Sequence, residues 1–203
     1  PQLAGGLFLT DGGIETTLIF QEGLELPYFA AFHILREKAG RETLARYYER
    51  YMAIAKADGV GFILESPTWR ANPNWAEKAG YGRDALARLN RAAIDLMHEV
   101  RERYETATSP MVVSGAIGPR GDGYDPGALM SPDEAADYHG SQMGLFRDAG
   151  ADLVSAFTMT NIGEAQGIAL AAKAAARPLW KKSRFSSHRS SQRCDSSNRR
   201  WKL

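Results

Sequence analysis

The sequence predicts an α/β protein built on a parallel sheet or on part of a barrel, and two observations predict it. Short apolar runs begin near residues 7, 60, 111 and 152. Each is followed by a stretch with the 3.6-residue apolar period of an amphipathic helix or by a helix-start signal. Strand and helix in strict alternation, joined by right-handed crossovers, give parallel neighbours. A closed (βα)8 barrel takes about 250 residues. About four units fit before residue 176, so an incomplete barrel with an irregular tail is expected.

The elements follow in order. Leu7-Phe8-Leu9 is the first strand and stops at the turn cluster Thr10-Asp11-Gly12-Gly13. Gly40-Arg41-Glu42-Thr43 leads into a helix with Leu44, Tyr47, Tyr48, Tyr51, Ile54 and Ala55 on one stripe, closed by Asp58-Gly59. Val60 to Leu64 is the second strand, and a helix from about Arg83 to Tyr104 follows. Met111-Val112-Val113 is the third strand and runs into a glycine-rich loop, Gly115 to Gly127. Ser131-Pro132-Asp133-Glu134 spells a capping box with proline in the first turn, and that helix ends near Gly150. Asp152 to Phe157 is the fourth strand. Asn161 with Glu164 then opens an alanine-rich helix to about Ala176.

Composition narrows the class. Apolar residues are 44% and charged residues 24% of 203, the balance of a globular chain. No stretch approaches the roughly 18 apolar residues of a membrane span. The first residues lack the basic flank and apolar run of a secretory signal, so a cytoplasmic protein is expected. The one cysteine, Cys194, can form no internal disulfide and cannot alone bind a structural zinc.

The net charge of +1 hides a split. From Arg177 to Leu203 nine basic residues face one acid, Asp195, giving +8; the rest has 16 basic against 23 acidic residues, or −7. Residues 1–176 therefore read as the folded part and 177–203 as a basic, serine-rich tail, either disordered or translated out of frame.

In βα folds ligands lie at the carboxyl ends of the strands. After the first strand Asp11 can accept from an ammonium, and Gly12 and Gly13 let a carboxylate approach backbone N–H groups; a plain turn is the alternative. Glu65, directly after the second strand, is either a site acid or the partner of a nearby arginine, and Thr68 follows it. Trp69 reads as a pocket wall or core residue. His139 reads as a surface or packed histidine rather than a metal ligand. There is no P-loop, dinucleotide loop or serine elbow. Two strand-end acids, a glycine turn and polar loops suit a small zwitterion and name no reaction.

Asp11-Gly12-Gly13-Ile14-Glu15-Thr16-Thr17-Leu18, Glu65-Ser66-Pro67-Thr68-Trp69-x-x-Asn72 and Gly115-Ala116-Ile117-Gly118-Pro119-x-Gly121 resemble the homocysteine S-methyltransferase family. Tyr138-His139-x-x-Gln142 and Ala149-Gly150-Ala151-Asp152-Leu153 continue the likeness in the same order. The resemblance covers residues 7 to 176. It implies a TIM-type (βα)8 barrel that binds homocysteine and transfers a methyl group to its sulfur, with zinc holding the thiolate through cysteines on late strands. It implies that Asp11, Gly12 and Gly13 help to hold the amino-acid end of the substrate. The resulting substrate-binding set is Asp11, Gly12, Gly13, Glu15, Glu65 and Thr68, with no catalytic residue assigned.

Two departures stand out. Where the family often carries a glutamate for the substrate amine this chain has Phe157, which cannot accept from an ammonium; Glu15 is the neighbouring acid that can stand in. After Ala176 no fifth strand, Gly-x-x-Cys or Cys-Cys pair appears. No zinc is therefore expected in this chain, and as written it is expected to be inactive, its methyl donor unnamed.

Two further readings compete. The tail could hold phosphate or an anionic membrane surface, though a solvated tail without a specific nucleic-acid or membrane partner is the preferred expectation. Alternatively, a half-barrel with two open sheet edges could pair with itself.

Overall fold

The computed structural model describes residues 5–125 and 127–179. Most of the basic tail, with His188 and Cys194, lies outside the described residues. Strand β1 (Phe8–Thr10) is followed by a left-handed turn at Gly13, φ 68°, a conformation that a side chain would strain. A short helix α1 (Ile14–Thr16) continues as a wider π-type turn over Thr17–Gln21. Two 3-10 segments, Pro27–Phe29 and Ala31–Arg36, lead into α2 (Lys38–Asp58), which starts slightly before the expected Gly40 and closes at Gly59 as expected.

Strand β2 (Gly61–Glu65) precedes a helix that hydrophobic periodicity does not announce, α3 (Pro73–Lys78). It is opened by capping chemistry: the Asn72 side chain accepts from Trp75 N at 3.2 Å, and Pro73 occupies the first turn. The long helix α4 (Arg83–Tyr104) and strand β3 (Met111–Ile117) follow. Helix α5 (Pro132–Asp148) begins with the predicted capping box: Ser131 Oγ accepts from Glu134 N, and Glu134 Oε2 from Ser131 N. After β4 (Leu153–Ala156), Asn161 Oδ1 accepts from Glu164 N at 2.7 Å and opens α6 (Ile162–Leu179). That helix continues past Ala176, so the change of composition at Arg177 does not coincide with its end.

All four strands are parallel and lie in sequence order, β1-β2-β3-β4. The order is the consecutive one that a barrel uses, here in an open sheet. Phe62 and Leu64 of β2 are fully buried among the helix side chains, with Tyr48, Ile94, Met97, Ile117 and Phe146. The alternating Ile63 and Glu65 are half-buried on the opposite face. Among the described residues β1 and β4 are the edge strands, as the half-barrel reading expects. Beside β4 a groove of about 750 Å³ runs between α5 and α6, lined by Met143, Phe146, Val154, Met159, Ile168 and Ala172.

Candidate functional site at the strand ends

The carboxyl ends of β1 and β2 bring three acids together electrostatically. Asp11 Oδ2 accepts from the Tyr47 hydroxyl at 2.8 Å, while its Oδ1 is buried without a partner. Burial pushes the Asp11 carboxyl up to about 6, with the Tyr47 bond opposing. Glu15 also buries one oxygen without a partner, Oε1, and burial, with the Asp11 charge adding to it, pushes its carboxyl up to about 7. Glu65 Oε1 accepts from Ser155 Oγ at 2.8 Å, and its Oε2 is the third unpartnered buried oxygen. Burial raises Glu65 as well, the serine bonds oppose, and the Asp11 charge again adds. Glu65 thus meets a serine of β4 rather than the arginine considered from sequence.

Helix α2 fixes the loop that carries Asp11. Tyr47 and Tyr51 both donate to Gly12 O, at 3.1 and 2.9 Å, and Tyr48 donates to Glu65 O at 2.5 Å. Sequence reasoning placed these three tyrosines in the core stripe and missed this role. The available signal was the hydroxyls themselves, since a buried tyrosine oxygen needs a partner. Gly12 and Gly13 remain exposed at the rim.

Thr68 is fully buried. Its Oγ1 donates to Ala116 O at 2.7 Å and shares a 2.7 Å hydrogen bond with Ser66 Oγ, which accepts from Ala116 N at 3.0 Å. The two hydroxyls close a ring on one residue of β3 and clamp the loop after β2. Trp69, half-buried, donates to Thr158 Oγ1 at 3.0 Å, and Gly118 packs so tightly on Trp69 that a Cβ there would come within 2.3 Å of its carbonyl oxygen. Arg70 lies between two indoles, its Cζ 4.3 Å from the centroid of Trp69 and 3.6 Å from that of Trp75. Phe157 is 41% exposed beside this loop.

His139 is packed, as expected, and has a partner that sequence reasoning did not assign. Its Nε2 lies 2.9 Å from Glu164 Oε1, with both side chains at most 4% exposed. Glu164 Oε1 also accepts from Arg120 N at 2.7 Å, and Oε2 from Asn161 Nδ2 at 3.2 Å. Burial raises the Glu164 carboxyl, but these bonds outweigh it and hold the group below its ordinary value. The pair ties the glycine-rich loop after β3 to the start of α6. Among the described residues no group of three or more His, Cys, Asp or Glu side chains is placed to hold a metal ion. None of the described helices is long and apolar enough to cross a membrane.

Comparison with known proteins agrees with this architecture. The homocysteine methyltransferase MmuM of Escherichia coli in its metallated form superposes with a TM-score of 0.66 at 23% identity, over 84% of this chain and 60% of that one. Its oxidized form gives 0.67 at 21%, over 83% and 58%. The chain thus spans about 60% of the length of these solved structures. No curated protein sequence matches it. The family model for homocysteine S-methyltransferase matches residues 8–198, and the chain belongs to that family.

Proposed function

We propose that the strand-end site is the methyl-acceptor site of a homocysteine S-methyltransferase, taking homocysteine or a related small amino-acid thiol. The observation that supports this reading is the set of three buried carboxylate oxygens without partners among the described residues, on Asp11, Glu15 and Glu65. An ammonium group has three N–H donors and no acceptor, and such a set of acceptors suits it. Glu15 and Glu65 stand in for the acid that Phe157 replaces, the exposed backbone of Gly12 and Gly13 faces the ligand carboxylate, and Thr68 shapes the loop from within. Among the described residues no group of three or more His, Cys, Asp or Glu side chains is placed to hold the zinc of the family, so no step is assigned to a metal. Isothermal calorimetry with L-homocysteine, paired with a methyl-transfer assay, tests this. Saturable binding is expected, and its absence would remove the reading.

The edge of β4, unpaired among the described residues, and its apolar groove favour a second reading, a non-catalytic half-barrel that binds a small molecule or anion and pairs with a second copy. Sedimentation giving a compact monomer at all concentrations would count against the pairing.

A further inference from the structure

Arg70 is a charge without the bonds that its burial calls for. Its side chain is 7% exposed, its Cζ lies over the rings of both Trp69 and Trp75, and burial pushes it below its ordinary value. A guanidinium has five N–H donors. Here Nη1 reaches Gly121 O only at 3.5 Å, Nη2 stands 3.6 Å from Asp122 Oδ2, and Nε is buried with no partner among the described residues. Gly121 O already accepts from Trp75 Nε1 at 3.0 Å, so its link to Arg70 is the weaker of two. A buried cation is costly unless it is paired and hydrogen-bonded.

The under-bonded side is the Nε–Nη2 edge, the fork that takes a carboxylate through two parallel hydrogen bonds. Its resident counter-charge, Asp122, is 44% exposed and sits between Gly121 and Gly123 on the loop after β3. Arg70 also lies within electrostatic reach of Glu15, since its charge helps to lower that carboxyl. A buried cation and an acid within electrostatic reach of each other match the two ends of a zwitterion.

We propose that Arg70 is the carboxylate anchor of the ligand site, its Nε–Nη2 edge taking the ligand carboxylate in place of Asp122 while the Asp11, Glu15 and Glu65 group takes the ammonium. The exposed Gly12 and Gly13 backbone then orients a carboxylate whose charge Arg70 balances. This specificity role rests on the reading of the site as one for an amino-acid thiol.

Calorimetry on the whole 203-residue chain with three probes separates the two ideas. The probes are L-homocysteine, 3-aminopropane-1-thiol, which lacks the carboxylate, and 4-mercaptobutanoate, which lacks the ammonium. Arg70→Gln is expected to weaken the two carboxylate probes by roughly 10- to 100-fold, the range for hydrogen bonds to charged groups, and to leave the aminothiol unchanged. Arg70→Lys, which keeps a charge between the indoles, should lose less, and it serves as the folded comparison if the glutamine variant melts. Equal weakening of all three probes, or no weakening, overturns the anchor and leaves the acceptor reading standing. Arg70-dependent binding of 4-mercaptobutanoate without binding of homocysteine keeps the anchor and removes the acceptor reading. Binding of none of the three removes both.

Discussion

Tyr47 on α2 donates its hydroxyl proton to Asp11 Oδ2 at 2.8 Å, and this bond turns a loop residue into a fixed one. One carboxylate oxygen is held by the helix, and the other is left buried and free of partners. A plain turn aspartate would sit in water with both oxygens solvated. Asp11→Asn keeps the shape and removes the charge, so homocysteine binding is expected to weaken by about 1.5–3 kcal/mol, the value of a hydrogen bond to a charged group. Calorimetry checks this, and unchanged affinity would return Asp11 to the role of a turn residue.

The raised carboxyls predict a pH dependence with a definite sign. Asp11 rises from 3.8 to about 6 and Glu15 from 4.5 to about 7, so between about pH 4 and 7 the folded chain binds more protons than the unfolded one. Stability from these two groups is therefore greatest below pH 4 and falls as pH rises towards 7, by on the order of 5 kcal/mol. Denaturant midpoints from pH 5 to 8 should fall less in Asp11→Asn, which removes one raised acid and a charge that adds to the burial of the other two. A midpoint that climbs over this range in the parent, with no difference in the variant, would contradict the account.

An ammonium ligand reverses that shift. Its positive charge favours the ionised acids, so binding near pH 6.5 should expel protons, chiefly from Glu15, and affinity should increase from pH 5 to 8. Calorimetry in two buffers of different ionisation enthalpy reads the proton count directly. Proton uptake on binding would show that the ligand's positive end lies elsewhere.

How much of this was legible in sequence depended on the kind of signal. The four strands and the long helices were written in apolar periodicity, and the caps at Ser131 and Asn161 in chemistry local to a few residues. Helix α3 was missed because six residues are too short to show a period; its signal was Asn72-Pro73 alone. Asp11, Glu15 and Glu65 could be chosen because they follow strands. Tyr47 and Arg70 could not, because a buried hydroxyl or guanidinium takes its partner from an element distant in sequence. The same holds for His139, whose acid lies on the next helix, 25 residues away.

The ring formed by Ser66 and Thr68 on the backbone N–H and C=O of Ala116 gives a stability prediction independent of any ligand. Ser66→Ala leaves Ala116 N, buried in β3, without its acceptor, and Thr68 Oγ1 loses its neighbour. A buried donor left unsatisfied costs about 1–3 kcal/mol. Urea unfolding should show that loss with an unchanged denaturant slope. A variant as stable as the parent would mean that the loop after β2 is held by Asn72, Trp69 and Arg70 without the serine clamp.

The last prediction concerns metal, because thiol activation in the family is implied to depend on zinc. A catalytic zinc takes about three protein ligands and leaves one position for the substrate. Among the described residues the acids of the strand-end site have no histidine or thiol in a common group, and His139 has its Nε2 on Glu164. Cys194 lies outside the described residues and is the chain's one cysteine. A homocysteine thiol without a metal keeps a pKa near that of cysteine, about 8.5, and so stays mostly protonated at neutral pH. The purified chain is therefore expected to hold less than stoichiometric zinc, and to transfer no methyl group to homocysteine from S-methylmethionine or betaine. Metal analysis by mass spectrometry checks the first statement and a thiol-methylation assay the second. One tightly held zinc per chain, retained after deletion of residues 180–203, would overturn both, because the ligands would then have to come from residues 1–179.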